Sequence, residues 1–194
     1  MSELKPSRSN RERTDATRQA LLDAARALFV DKGYGDTSTP DICASTATTR
    51  GALYHHFVDK RDLFRHVLMR ESEAVSANIV AATPPDLSPR DSLFAGSSAY
   101  LAAMAVPGRT RLMLIDGPAV LGMADIIAMD DPNAANALRE GLRAAIPDAQ
   151  TVSINALSSL LSAAFDRAAL EIDAGAGPKE VHAAMHWLLG KMLA

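Results

Sequence analysis

From residue 14 to the C-terminus the chain is a succession of stretches with apolar residues every three or four positions. Glycine or proline closes most of them, and none alternates with the two-residue period of a strand. That pattern restricts the fold to packed helices. Aromatic residues are only 5% of the chain while Ala and Leu recur throughout, which points the same way. A length of 194 residues suits one or two domains and is ample for a core.

The stretches predict these helices. The first spans 14–32, with Leu21, Leu22, Ala25, Leu28 and Phe29 on one face and Gly33 as a left-handed stop. A short helix follows at 39–46, opened by Ser38 with Asp41 three residues on as a capping box, then another at 49–56 after the turn Ala47-Thr48. Longer helices are expected at 60–82 and 89–105, ended by Pro84-Pro85 and Pro107-Gly108. Residues 109–122 read as two short helices bent at Gly117-Pro118, and 124–131 as irregular. The last three helices are expected at 132–145, 149–174 and 178–193, the final pair forming an antiparallel hairpin.

The segment 38–57 carries the chemistry. On a helical wheel Leu53 and Phe57 fall together and face inward. Thr49, Arg50, Gly51, Tyr54 and His55 fall at the helix start or on the other side. Two short helices around a tight turn, the second with a hydrogen-bonding outer face, make a helix-turn-helix. Thr49 and the helix start can donate to a phosphate, and Arg50 can reach a guanine edge or a phosphate. Gly51 lets the backbone approach closely. Tyr54 and His55 can fix register on phosphates. Ser38, Thr48 and Lys60 complete the candidate set, Lys60 as a further phosphate contact. The alternative on spacing alone is an ordinary helical hairpin with a polar outside.

Charge agrees with this placement. The chain's net charge is -3, yet residues 1–70 hold 12 Lys and Arg against 9 Asp and Glu, and the remainder is acidic. The segment 1–13, with Lys5, Arg8, Arg11 and Arg13, reads as a disordered basic arm, either lying on DNA or simply solvated. No Ser/His/Asp set, paired carboxylates or phosphate-cradling glycine loop is present, so enzyme activity is not expected. No cofactor is called for. Cys43 reads as a small buried apolar residue. His182 and His186, at i and i+4, read as a solvated or interface pair rather than metal ligands. The longest uncharged stretches, 92–108 and 149–165, are too short and polar to span a bilayer, and no secretory signal leads the chain, so a cytoplasmic location is expected.

The span from Thr14 to Phe64 resembles the N-terminal domain of the TetR/AcrR family of transcriptional regulators. The resemblance rests on Lys32-Gly33-Tyr34, Thr37-Ser38, Asp41-Ile42, the run from Thr49 to Phe57 (TRGALYHHF), and Lys60, Leu63 and Phe64. It implies an all-α protein with a three-helix DNA-binding domain at 14–59 and a helical ligand-binding and dimerisation domain at 60–194. It also implies a homodimer on palindromic operator DNA, most simply a repressor released by a small molecule. A nonspecific or architectural DNA binder without effector is the alternative. Two positions depart from the family pattern: Ala47 stands where glycine is usual, and Thr48 where an apolar residue is usual. Residues 114–122 (LIDGPAVLG) resemble a segment of one branch of the family, without indicating a ligand.

By the same resemblance the last two helices pair with those of a second subunit. Leu157, Leu160, Leu161, Ala164 and Ala168 form one stripe, and Val181, Met185, Leu188 and Met192 another. The alternative is that both stripes face the chain's own core. Tyr100, Met104, Met113 and Phe165 are candidates to line an effector pocket, or else to pack the core. Few charges are available there, so a mainly hydrophobic or weakly polar effector is expected.

Overall fold

The computed structural model describes residues 10–130, 134–147 and 152–193. Every regular element among them is helical: α1 (Asn10–Asp36), α2 (Thr39–Ser45), α3 (Arg50–His56), α4 (Lys60–Ala82), α5 (Pro89–Met104) and α6 (Arg109–Arg111), followed by a π turn (Leu112–Asp116). After the turn come α7 (Gly117–Leu121), α8 (Met123–Asp130), α9 (Ala134–Ala145), α10 (Ile154–Asp173) and α11 (Pro178–Met192). None of these helices is long and apolar enough to cross a membrane.

The chain divides into two compact units, Met1–Val67 and Leu68–Ala194, with the division inside α4. The first unit therefore runs further than the 59/60 boundary read from the sequence, because Leu63, Phe64 and Val67 of α4 are fully buried in its core. Leu21, Leu22, Ala25 and Phe29 of α1 form the rest of that core with Ile42, Leu53 and Phe57. Phe64 stacks edge-on against Phe29 with centroids 5.1 Å apart.

The main body of α1 breaks at Gly33 (φ 81°, ψ 166°), where a positive φ suits glycine, and a further turn continues to Asp36. The carbonyls left open there are used: the single proton of the buried Thr37 hydroxyl faces the Gly33 oxygen at 2.8 Å and that of Leu28 at 3.1 Å. At its other end α1 begins at Asn10, so residues 10–13 belong to a helix and not to a disordered arm. Lys5 and Arg8 of that arm lie outside the described residues, as do the helix starts expected at 132 and 149.

In the second unit α9 packs against both α5 and α10, and α11 folds back on α10 and α5. Leu93, Leu101, Met104, Leu142, Phe165 and Leu189 sit at the centre. The stretch 124–131, expected to be irregular, is helical as far as it is described: residues 123–130 form α8. Its Ile126 and Met129 recur at i, i+3 and are partly buried, too short a stripe to stand out in sequence. Before it, the main chain widens to a π turn and then packs tightly at Gly117. A Cβ at Gly117 would lie 3.1 Å from Leu68 Cδ1 of α4 and 3.1 Å from Ile126 Cδ1.

A polar cluster is buried in this unit. Arg109 Nε donates to Glu71 Oε2 at 2.7 Å, and its Nη1 donates to the Ala103 carbonyl at 2.7 Å. The Thr110 hydroxyl donates to the Met104 carbonyl at 2.9 Å. Arg109 and Thr110 thus supply donors to the open C-terminal carbonyls of α5, while Arg109 also binds α4.

Candidate nucleic-acid interface and ligand cavity

Helices α2 and α3 form the predicted helix-turn-helix, and both starts are capped. Ser38 Oγ accepts from the Asp41 amide at 3.3 Å, and Asp41 Oδ2 accepts from the Ser38 amide at 3.3 Å, which completes the capping box. The Ser38 hydrogen bonds hold the Asp41 carboxyl below its ordinary pKa. Thr49 Oγ1 accepts from the Ala52 amide at 3.2 Å. In Thr49 a lone pair does the capping, so its O–H remains able to donate outward.

The orientation of α3 follows from Leu53 and Phe57, both fully buried. With those two inward, Thr49, Arg50, Gly51, Tyr54 and His55 are exposed together. The Arg50 guanidinium lies 5.8 Å from the Tyr54 ring centroid. The Tyr54 hydroxyl sits 3.5 Å from that of Thr39 on α2. Thr39 and then Arg50 lower the Tyr54 pKa from its usual value. Thr39, which braces Tyr54 across the turn, has no sequence signal beyond its place after the cap.

Two residues of the predicted set play other parts. Thr48 is partly buried and its hydroxyl donates back to the Thr46 carbonyl at 3.3 Å, so it closes the turn. Lys60 was expected as a free phosphate contact. Its Nζ instead donates to the carbonyls of Tyr34 and Thr37, each at 2.9 Å, and lies 4.2 Å from the Tyr34 ring centroid. Two of its three N–H groups are committed, and Lys60 is a fastener between the start of α4 and the α1–α2 connection.

In the second unit a cavity of about 130 Å3 is lined by residues that include Gly96, Tyr100, Leu138 and Phe165. A smaller one of about 60 Å3 has Met113, Met129 and Asp166 in its wall. Of the pocket candidates, Tyr100 lines both cavities, Phe165 the larger and Met113 the smaller. Met104 lines neither: it is 1% exposed and packed in the core. The Tyr100 hydroxyl donates to Asp166 Oδ1 at 2.5 Å.

Comparison with known proteins decides the family. The family model described as "Bacterial regulatory proteins, tetR family" matches residues 21–67, and "Tetracyclin repressor-like, C-terminal domain" matches residues 90–194. The chain belongs to the TetR family. The crystal structure of a TetR-family transcriptional regulator from Pectobacterium atrosepticum is 28% identical, with a TM-score of 0.71, and the match covers 96% of each chain. One from Syntrophomonas wolfei shares the fold at 15% identity, with a TM-score of 0.78 over 92% of this chain and 95% of that one. Among curated relatives, the HTH-type transcriptional regulator AcrR of Shigella flexneri is 42% identical over 60 residues, 31% of this chain and 28% of that one. The HTH-type transcriptional repressor BepR of Brucella suis is 39% identical over 54 residues, 28% of this chain and 26% of that one. These matches thus span under a third of the relatives' length. TetR-family members are DNA-binding transcriptional regulators, not enzymes.

The family's usual glycine at the helix-turn-helix turn is replaced here by Ala47, which nonetheless takes a left-handed φ of 51°. The turn is closed by the Thr48 amide donating to the Cys43 carbonyl at 3.0 Å, so the conformation is imposed. A left-handed alanine costs about 1–2 kcal/mol, and glycine would return about 0.4–1 of that to the unfolded chain's entropy. Ala47→Gly is therefore expected to stabilise by about 0.5–1 kcal/mol, read as a raised urea midpoint. An unchanged midpoint would mean the turn carries no strain.

In this TetR-family chain most of the predicted dimer stripe faces inward. Leu161, Ala168 and Met185 are buried, and Leu157, Ala164, Val181 and Met192 pack against the same core. Leu160 and Leu188 alone of that set are exposed, at 71% and 43%. Beside them Trp187 is 65% exposed, and Ala156, Ala163 and Ala184 share the open face. Two adjacent apolar stripes lie on one helix pair, and the chain's own core took the more regular one. Trp187, the chain's single tryptophan, was the overlooked signal. His186, read as solvated or interfacial, is partly buried: its Nε2 lies 2.9 Å from the Ser98 hydroxyl and its ring packs against Phe94.

Proposed function

We propose that the chain is a ligand-responsive repressor that binds a palindromic operator as a homodimer. The observation that carries the reading is the exposed set Thr49, Arg50, Gly51, Tyr54 and His55 on a helix held by Leu53 and Phe57. In the major groove this set offers Arg50 to a guanine edge and hydroxyls and an imidazole to phosphates. Repression, rather than activation, is supported by the similarity to BepR, a transcriptional repressor. Such a regulator acts where the chromosome is, in the cytoplasm.

The dimer is assigned to the open face of α10 and α11 around Leu160, Trp187 and Leu188. Two recognition helices spaced about 34 Å apart then meet successive major grooves. Leu160→Glu together with Trp187→Glu is expected to give a folded monomer by sedimentation, with operator binding lost at nanomolar protein. A dimer surviving both changes would remove this face from the interface.

Effector release is assigned to the cavities. Leu68, Ser72, Val75 and Ile79 of α4 contribute to their walls, and the start of that helix carries Lys60. A ligand that fits only a shifted α4 lowers operator affinity by its difference in affinity for the two states.

The test is selection of bound sequences from random duplex DNA at physiological salt. One enriched palindrome is the expected result. Binding without enrichment that disappears as salt rises would replace this reading with nonspecific association.

A further inference from the structure

The two cavities of the second unit adjoin, because Tyr100 and Asp130 line both. Their walls are mostly apolar, with Ile79, Leu93 and Phe165 in the larger and Val75, Met113 and Ile126 in the smaller. The charged side chains that line them are Asp130 and Asp166, and no Lys, Arg or His does so among the described residues.

Asp166 is the unusual member. It is part-buried, and the polar partner it holds is the Tyr100 hydroxyl, 2.5 Å from Oδ1. Among the described residues no cation stands against it. Burial lifts the Asp166 carboxyl above its ordinary range, and burial together with the Asp166 charge pushes the Tyr100 phenol up too. A carboxylate in an apolar wall is costly unless a counter-charge joins it. A core position needs no carboxylate, and an isosteric apolar residue would fill it at lower cost. A cavity whose charged wall is acidic also repels an anion at short range in low dielectric.

We propose that the effector has an apolar body and one protonated amine, with the amine against the Asp166 carboxylate and the body in the larger cavity beyond Tyr100. This rests on the reading of these cavities as the effector site. It narrows the ligand from "mainly hydrophobic" to a lipophilic cation and excludes carboxylates such as fatty acids.

Three probes of equal body test it on the full-length protein by calorimetry: 4-phenylbutylamine, 4-phenylbutanol and 4-phenylbutyrate. The amine is expected to bind at least tenfold more tightly than the alcohol, with no measurable binding of the carboxylate. Asp166→Asn keeps an acceptor for the Tyr100 hydroxyl and is expected to bring amine and alcohol to equal affinity. Asp166→Glu is expected to retain the amine preference. Equal affinity of amine and alcohol for the native protein would overturn the proposal. Binding of the carboxylate, an unchanged preference in Asp166→Asn, or binding of none of the three would do the same. Should Asp166→Asn fail to fold, the comparison on the native protein still decides. Operator selection is read separately: an amine that binds by these criteria without releasing the operator supports the ligand class and counts only against effector release.

Discussion

Arg109→Ala is expected to lower the stability of the C-terminal unit by about 3–5 kcal/mol. The side chains of Arg109 and Glu71 are 8% and 5% exposed, so alanine leaves the Glu71 carboxylate in a nearly dry site without its strongest partner. It also strips a donor from the Ala103 carbonyl at the end of α5. A loss of that size is a fifth or more of the stability of a typical domain, about 5–15 kcal/mol. Urea unfolding at neutral pH measures it. Replacing both partners, Arg109→Met with Glu71→Leu, is expected to cost far less than the single change, because no charge is then stranded. A single-variant loss below about 1 kcal/mol would place the pair with ordinary surface ion pairs. The sequence offered no hint of this pair, since an arginine and a glutamate 38 positions apart have no visible relation.

Arg50→Ala is expected to weaken operator binding by about 1–3 kcal/mol, roughly five- to 150-fold, and to relax base preference at one position of each half-site. If Arg50 instead lies on a phosphate, all sequences weaken alike and the salt slope falls by about one. Fluorescence anisotropy on the selected palindrome and on single-base variants separates the two. Tyr54→Phe, which removes one hydroxyl, is expected to cost about 1 kcal/mol and leave base preference intact. Lys60→Ala is the informative contrast. Its ammonium holds the Tyr34 and Thr37 carbonyls, so its loss should lower the melting point while the salt slope stays put. Full operator affinity in Arg50→Ala and Tyr54→Phe alike would remove α3 from the interface.

The DNA-reading unit was legible because its signals are local. The capping box Ser38–Asp41, the N-cap Thr49 and the i, i+4 pair Leu53 and Phe57 each act within a helical turn, and each lies where the residue pattern put it. Even the strain at Ala47 could be anticipated from the turn's need for a positive φ. The fastening role of Lys60 was not legible because its partners, Tyr34 and Thr37, are more than twenty residues away.

For the C-terminal unit, the sequence by itself determined that helices form and roughly where they stop, since proline, glycine and apolar period act through the nearest few residues. It did not determine which face of a helix meets what. Leu161 and Leu160 are neighbours of the same residue type, yet one is 4% exposed and the other 71%. Tyr100, Met104 and Met113 are similar in apolar character, yet one bridges two cavities, one is sealed in the core and one edges the smaller cavity. No local pattern marks Asp130 or Asp166, which the fold sets in mostly apolar walls. Only the packing of α5, α9, α10 and α11 decided these outcomes, because burial depends on which distant surface arrives, and helical periodicity carries no record of its partner.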